Sequence, residues 1–343
     1  MGELLTPADE GVHEVGPELN WNESRYIDFF DPVTPNGGSG VGGWLRIGNR
    51  PNEGRAEMSV GINLPGVDGG PRTDAFFFER APITANTLTS GNQAWQIDEP
   101  FATTHVRYDG PLMLLDDPWV LTEPGVAFKT APRADAHIDL KVTSFGLGSV
   151  MGQDQDQHHL IFLPGQANYH YQHLCRCEGT VKVGDRTFQV NGMGGKDHSW
   201  GPRNWHAKIY LRWLIGMVDD DFGFMLTRAV GPTKKTRSGF VWQDGRFFIV
   251  DDFEMHNTYA DAPNYELLGT EVTIRSGERT WQATGTPQDW VPLRHRQPGP
   301  DGKEATLRIV KSPTSWVIDG QAGAGMCEFH DLMVDGVPIA LDD

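Results

Sequence analysis

The strongest constraint on the fold is a two-residue alternation of side chains that ends in a short glycine turn. Between residues 169 and 183, the odd positions carry mainly Tyr, His, Cys and Val, whereas the even positions are mostly polar. This period is typical of a β-strand with one buried and one solvated face, and it predicts that Tyr171 and His173 point inward. Gly184-Asp185 follows and favours a hairpin turn because glycine tolerates positive φ. Comparable pairs predict an antiparallel, meander-type all-β protein; they occur at Asp109-Gly110, Asp244-Gly245, Ser276-Gly277 and Asp335-Gly336.

A second alternation predicts another hairpin further along the chain. Over residues 209–217 the odd positions are Ile, Leu, Trp, Ile and Met, which places Trp213 on the inward face. An acidic tip at 219–221 separates this run from alternating apolar residues at 222–226. One short helix is predicted over residues 111–119, where a proline stands near each end. Helix is therefore a minor component.

The chain of 343 residues is long enough for two domains, and one segment of different composition separates two β-rich halves. We expect an N-terminal domain over residues 20–193, a junction loop over residues 194–206 and a C-terminal domain over residues 207–343. The junction reads GGKDHSWGPRNWH. Glycine weakens a strand but lets the backbone approach a neighbour closely, so the glycines here predict a tight loop with a functional role.

The net charge of −17 disfavours nucleic acid as a partner, because a polyanion would be repelled. No run of 18 or more apolar residues occurs, and the N-terminal residues lack a basic segment followed by an apolar one. We therefore expect no stable membrane insertion and a cytoplasmic location. Three cysteines without zinc-site spacing predict buried thiols in a reducing compartment. His170 and His173 fall on opposite faces of one strand, so we predict no metal site and no cofactor. The composition carries no signal for the oligomeric state.

The junction concentrates ionisable groups: Asp197 and His198, which can transfer protons, and Arg203, a permanent cation. Adding water across an unactivated C=C bond requires a proton donor inside a dry cavity. Asp197 can be that donor if burial without a cationic partner raises its pKa by about 3–5 units. If the Arg203 guanidinium contacts Asp197, the pKa of Asp197 falls, and His198 becomes the acid or orients Asp197. A purely structural Asp197–Arg203 pair is an equal alternative at this point.

The segment GGKDHSWGPR resembles the Asp-His-Ser/Asn-Trp-Gly signature of the carotenoid hydratase (hydroxyneurosporene synthase) family and its lipocalin-like relatives. Two further stretches agree: NWNESRYIDFFD near the N-terminus, and GAGMCEFHD, which contains Glu328. The resemblance spans about residues 20–340. It implies an all-β fold of two lipocalin-like antiparallel β-barrels, or half-barrels, packed side by side with an apolar pocket. It also implies a reaction without a cofactor on an isoprenoid or other hydrophobic small molecule, with Asp197 as the candidate acid.

Aromatic residues predict the lining of such a pocket. A protonated alkene is a carbocation, which the negative face of a Trp ring stabilises by roughly 0.5–2 kcal/mol per contact. Tyr171 and His173 could position the water or accept the proton. An inward Trp or His is nevertheless more often core packing than a ligand contact. The predicted substrate-binding residues are Trp200, Arg203, Tyr171, His173, Trp213 and Glu328.

These features favour a lyase or isomerase that hydrates, cyclises or rearranges an isoprenoid or polycyclic small molecule. Asp197 is then the general acid and His198 its orienting partner. The alternative is a non-catalytic, lipocalin-like carrier of an apolar metabolite, which needs the pocket but not the acid. Motifs of other enzyme classes are missing from the sequence: GxSxG, GxxxxGK[ST], HExxH, and a GxGxxG that follows a strand and opens a helix.

Overall fold

A computed structural model describes residues 5–35, 37–70, 72–160, 163–298 and 304–341. The chain divides into two compact units. The first unit comprises the residues up to Asp117 together with Gly125–His159 and Ala167–Arg203. The second unit comprises Pro118–Pro124, Leu160–Gln166 and Asn204–Asp343. Both units are built from antiparallel strands, as the alternation and the turns predicted.

The first unit is a closed barrel. Its sheet runs in the order β4-β3-β2-β1-β10-β9-β8-β7-β6-β5, and an additional pairing of β4 with β7 closes eight of the strands into a ring. Closure removes the unpaired strand edges of those eight strands. The strands are β1 (Trp21–Phe30), β2 (Gly42–Arg50), β3 (Arg55–Leu64), β4 (Thr73–Pro82), β5 (Thr89–Ser90), β6 (Gln93–Glu99), β7 (Thr103–Leu115), β8 (Arg133–Ser144), β9 (Tyr169–Val183) and β10 (Arg186–Pro202).

The second unit is one large sheet in the order β14-β13-β12-β11-β20-β19-β17-β16-β15, with β18 paired to β19 and β21 to β20. Among the described residues no ladder joins the two end strands, β14 and β15. The strands are β11 (Tyr210–Met217), β12 (Phe222–Val230), β13 (Lys235–Gln243), β14 (Arg246–Ile249), β15 (Asp252–Tyr259), β16 (Leu267–Ser276), β17 (Arg279–Pro287), β18 (Val291–Pro298), β19 (Glu304–Ile318), β20 (Gln321–Val334) and β21 (Val337–Pro338).

Helices are few and short. The α-helices are α1 (Pro124–Thr130) and α2 (Gln155–Leu160), and the 3₁₀ turns are Pro7–Glu10, Pro51–Glu53, Val67–Gly69, Pro118–Thr122, Leu147–Ser149 and Trp205–Ala207. The prediction of a helix over 111–119 was wrong, because β7 continues to Leu115 and pairs there with β4 and β8. No helix in the described ranges has the length and apolar character needed to cross a membrane.

Most of the predicted hairpin turns are confirmed. Gly184, the pair Asp244-Gly245 and the pair Asp335-Gly336 all connect paired strands with positive φ, and Gly277 does the same after β16. Asp109-Gly110 is not a turn. Gly110 lies inside β7, where a Cβ would stand 2.5 Å from the side chain of Asn92 and 2.9 Å from the hydroxyl of Tyr108. That glycine serves close packing rather than chain reversal.

The predicted junction loop over 194–206 is mostly strand. Strand β10 extends to Pro202 and pairs with β1 and β9, and only the short turn Trp205–Ala207 is non-extended. A Cβ on Gly194 would lie 2.1 Å from the carbonyl oxygen of Asp28, and one on Gly192 would lie 2.2 Å from that of Phe30. These glycines let β10 lie close to β1. The sequence pattern had been interpreted as a loop, whereas the glycines belong to a strand.

The inward face predicted for Trp213 was also wrong. The core cluster of the second unit contains Leu214 with Phe224 and Leu226, so Trp213 lies on the opposite face of β11. All residues of β11 are buried, which removes the polar-outward signal on which alternation depends. In the first unit the alternation of β9 was correct, because Cys175 and Cys177 belong to the barrel core and share a face with Tyr171 and His173.

Candidate active site

The two sequence motifs of the first unit lie side by side. Strand β1, from NWNES, pairs antiparallel with β10, from KDHSWG, so that Arg25 is opposite His198 and Tyr26 is opposite Asp197. Residues of β1 that share a face with Arg25, including Ile27 and Phe29, belong to the barrel core. The alternation therefore sends His198 to the inner face of the sheet and Asp197 to the outer face.

The outer face carries a carboxylate–imidazole pair. An Asp197 oxygen, Oδ2, lies 3.8 Å from Nε2 of His170 on β9, and the two side chains are 20% and 14% exposed. Arg203 is half-buried, and one guanidinium nitrogen donates a hydrogen bond to the Ser199 hydroxyl. Burial and the neighbouring Arg46 lower the pKa of Arg203 to about 9, although the Asp197 charge opposes this shift. Asp197 is thus within the electrostatic reach of Arg203 and at ion-pair distance from His170.

On the inner face, Glu23 is the centre of a buried network. Its Oε1 lies 2.7 Å from His198 Nε2, 2.8 Å from a guanidinium nitrogen of Arg25 and 3.2 Å from His13 Nδ1. Burial alone would raise the pKa of Glu23, but the neighbouring rings of His13 and His198 and the charge of Arg25 hold it well below its usual range. Burial and Arg25 lower the pKa of His198 to about 4. The fold therefore holds an ionised carboxylate against a neutral imidazole.

A second carboxylate, Glu10, enters the barrel from the N-terminal segment. The Lys196 ammonium donates to both of its oxygens, at 2.7 and 3.0 Å, and to the Thr104 hydroxyl at 3.1 Å. The Tyr171 hydroxyl also donates to Glu10. Although burial works in the other direction, the Lys196 charge lowers the pKa of Glu10 to about 2. Burial and the Glu10 charge raise the pKa of Tyr171 well above its usual value.

Aromatic rings complete the inner cluster. The ring of His13 stacks on Trp200 with centroids 3.8 Å apart and planes 13° apart, and Tyr169 stacks on the same indole at 5.2 Å. His173 is fully buried, and burial followed by the Lys196 charge lowers its pKa to about 3. A neutral, fully enclosed His173 lines the barrel interior.

The sequence reasoning missed most of the charged groups in this cluster: His13, Glu10, Glu23, Arg25 and Lys196. One signal was available in the sequence: Glu23 and Arg25 lie at two-residue spacing from Ile27 and Phe29, so they share the strand face of these core residues. A charged side chain on a core-facing strand surface must be paired, because burying an uncompensated charge is costly. Glu10 and His13 precede the first strand, and no periodicity pointed to them.

A cavity of about 620 Å³ opens beside this cluster in the first unit. Its lining includes apolar side chains from Leu88, Trp95 and Ile97, together with the polar groups of Glu10 and Arg107. The volume falls within the range of about 300–1,000 Å³ that is typical of small-molecule sites. Glu10 therefore connects the cavity to the hydrogen-bond network of Tyr171 and His198.

The predicted residues of the second unit, Trp213 and Glu328, belong to a separate polar group. Glu328 bonds to the Lys311 ammonium and to His330, on the strand face opposite Cys327 and Phe329 of the core. Although it is buried, the Lys311 charge and the His330 hydrogen bond hold its pKa well below the usual range. Within the first unit, the structure brings Tyr171, His173, His198 and Trp200 together on the inner face and places Asp197 and Arg203 apart from them.

The architecture matches a known class of two-sheet proteins in solved structures. A protein from Nitrosomonas europaea assigned as an AttH superposes with a TM-score of 0.56 at 15% identity, over 96% of each chain. CghA gives a TM-score of 0.53 at 11% identity over 95% of each chain, and it has also been solved with Sch210972. Kievitone hydratase from Nectria haematococca gives 0.53 at 9% identity, over 97% of this chain and 96% of its own. The all-β fold of two barrels or half-barrels that the resemblance implied is confirmed.

The family assignment follows from the sequence. Residues 6–333 match the family described as a domain of unknown function, DUF7064, and the chain belongs to that family. No curated protein matches the sequence.

Proposed function

We propose that the protein is a lyase or isomerase that protonates a C=C bond of a hydrophobic small molecule. The observation that carries the proposal is the Asp197–His170 pair, which presents a partly accessible acid on a strand whose neighbours are buried. A proton donor of this kind must reach the substrate while most bulk water is kept away. The fold similarity to kievitone hydratase and CghA supports the same reaction class.

Asp197 and His170 carry out the proton transfers of the proposed reaction. The Asp197–His170 pair shares one proton and gives it to one alkene carbon, and the electrons of the broken O–H or N–H bond stay on the donor atom. The resulting carbocation is captured by water, by an internal hydroxyl or by loss of a neighbouring proton, which gives hydration, cyclisation or isomerisation. His170 accepts the proton released in that second step and returns it to Asp197.

In this proposal, His198 acts from the face of β10 opposite to Asp197. It does not touch Asp197; its bond to Glu23 on β1 fixes the stretch of β10 that carries the acid. His198 is therefore a positioning residue. Tyr171, His173 and Trp200 support the same inner network.

The test uses D₂O, because every one of the three outcomes delivers a solvent deuteron to carbon. The protein is incubated with a panel of prenylated phenols, including kievitone, and linear isoprenoid alkenes, and the products are analysed by mass spectrometry. We expect carbon-bound deuterium with wild type and with Asp185→Asn, an exposed aspartate at the far end of the same hairpin. Asp197→Asn should lose about 10²–10⁴-fold in rate, the usual contribution of a general acid. A labelled product formed at the wild-type rate by Asp197→Asn would sink the proposal.

A carrier function is the second candidate, and the 620 Å³ cavity of the first unit is the observation that favours it. Apolar walls with one charged end suit an amphiphilic metabolite. Organic extraction of freshly purified protein, followed by mass spectrometry, should then release a ligand. Leu88→Trp, which places a larger ring in the cavity wall, should reduce the amount of that ligand, whereas Asp197→Asn should retain it. Equal ligand content in Leu88→Trp and wild type would exclude this cavity as the carrier site.

A further inference from the structure

The neighbours of the buried His198 fix the position of its proton. Tyr171 has one hydroxyl proton, and it donates that proton to the ionised Glu10. The Tyr171 oxygen must therefore accept a hydrogen bond from His198 Nδ1, which lies 3.1 Å away. A neutral His198 then carries its proton on Nδ1, and its Nε2 presents a lone pair.

His13 lies between two carboxylates, with Nε2 3.3 Å from an Asp9 oxygen and Nδ1 3.2 Å from Glu23 Oε1. A neutral ring has one proton for these two acceptors, so one of its nitrogens presents a lone pair to a carboxylate oxygen. Stacking on Trp200 holds the ring in that orientation.

Each histidine presents a ring nitrogen to the same atom. His198 Nε2 lies 2.7 Å and His13 Nδ1 lies 3.2 Å from Glu23 Oε1, itself an acceptor. Acceptors this close repel one another unless positive charge lies among them. Arg25 supplies one hydrogen bond to Glu23 but none to the two imidazole nitrogens in the described bonds. An extra proton on His198 would place a second cation beside Arg25 in a fully buried position.

We propose that His13 Nδ1, His198 Nε2 and Glu23 Oε1 bind a divalent transition-metal ion of the zinc class. The three ligand atoms lie within 4.8 Å of one another. Two imidazole nitrogens and one carboxylate oxygen form a ligand set that zinc takes in proteins. Asp9 and Tyr171 occupy the outer positions that orient metal-binding histidines.

The ion would serve a structural purpose distinct from the proposed proton transfer at Asp197. His13 belongs to the N-terminal segment, Glu23 to β1 and His198 to β10. One ion would thereby tie the segment that precedes the barrel to the two strands that carry both sequence motifs. Such a tie stabilises the folded state by a free energy that rises with the logarithm of the free metal concentration once that concentration exceeds Kd.

The test measures metal binding directly. Full-length protein is stripped with 1,10-phenanthroline, dialysed and titrated with Zn²⁺ by calorimetry, and metal content is measured by mass spectrometry. We expect one ion per chain and a melting temperature that rises with Zn²⁺ concentration. His13→Ala lies on the half-exposed N-terminal segment and should fold; it should weaken binding by more than about 100-fold. Asp9→Asn, which removes only an outer partner, should weaken binding by about 10–100-fold.

His137→Ala is the matched control, because His137 is an exposed histidine paired with Asp109 on the protein surface. It should bind Zn²⁺ as wild type does. Co²⁺ substitution gives an independent reading, since a tetrahedral site with nitrogen ligands produces intense visible absorption bands that His13→Ala should remove. The proposal is overturned if wild type binds no Zn²⁺ in a one-to-one ratio. It is equally overturned if His13→Ala and His137→Ala bind the ion with the same affinity.

Discussion

Replacing Lys196 by Met isolates the energy of the buried Glu10–Lys196 ion pair. Both side chains are at most 2% exposed, and the ammonium donates to both carboxylate oxygens. Removing one partner of a buried pair costs about 3–5 kcal/mol, because the other charge stays buried without compensation. Glu10 keeps the Tyr171 hydroxyl after the change and sits on a segment that precedes the first strand. Both facts reduce the cost, so we expect a loss of about 3 kcal/mol.

The loss of stability in Lys196→Met should be concentrated in the N-terminal segment that carries Glu10. Hydrogen exchange followed by mass spectrometry should show faster exchange of residues 5–20, because Glu10 can lower its energy by moving into water. Urea unfolding of the whole chain gives the accompanying free energy, analysed as more than one transition since the protein has two units. Lys182→Met, an exposed lysine on β9, is the control and should change stability by less than about 0.5 kcal/mol.

A double variant separates charge from shape. Glu10→Gln combined with Lys196→Met removes both charges and should recover at least half of the stability lost by Lys196→Met alone. The reasoning fails if Lys196→Met stays within about 1 kcal/mol of wild type and leaves the exchange of residues 5–20 unchanged.

Three further outcomes are expected elsewhere. Gly194→Ala should lose about 1–3 kcal/mol in urea unfolding, since its Cβ would stand 2.1 Å from the Asp28 carbonyl oxygen, whereas Gly125→Ala, with open space around it, should be neutral. Burial and the Lys208 charge lower the pKa of His330 to about 3. Between pH 6.5 and that value His330 is protonated in the unfolded chain only, so the free energy of unfolding falls as the pH drops. His330→Gln should reduce the slope of unfolding free energy against pH by up to about 1.4 kcal/mol per unit between pH 6.5 and 5; an unchanged slope would show that His330 is protonated when folded. All three cysteines are buried thiols, and burial raises the pKa of Cys327 to about 12. A thiol reagent should therefore react with none in the native protein and with three after denaturation, and rapid native labelling would contradict that burial.

The sequence was informative wherever a single face of a strand is buried. The alternation in β9 correctly placed Tyr171 and His173 inside the barrel, and glycine pairs located real hairpins such as that at Gly184. Prediction failed where both faces of a strand are buried, as at Trp213, because alternation then loses its polar signal. It also failed at Gly194, where a glycine provides close contact between strands and no turn.

The candidate site was predicted in part. The DHSWG motif pointed to the right strand, yet alternation along β10 separates Asp197 from His198, which a motif read as a loop could not show. Glu10 and His13 come from a segment with no periodic pattern, and only the tertiary fold brings them to β10. Pairings between residues so far apart in sequence leave no local trace in composition.

The division of the chain into units has a consequence for how the protein is made. Residues 118–124 and 160–166 interrupt the first unit in sequence but belong to the second, where Trp119 lies under Arg308 and Glu123 pairs with Arg294. Strand β1 pairs with β10, which is synthesised much later, so the barrel cannot close until β10 has been made. A nascent chain therefore exposes an unpaired edge of β1 until more than half of the protein has emerged, and a fragment starting at Asn204 would lack two pieces of its own unit. No single cut in the chain therefore yields two fragments that each contain a whole unit.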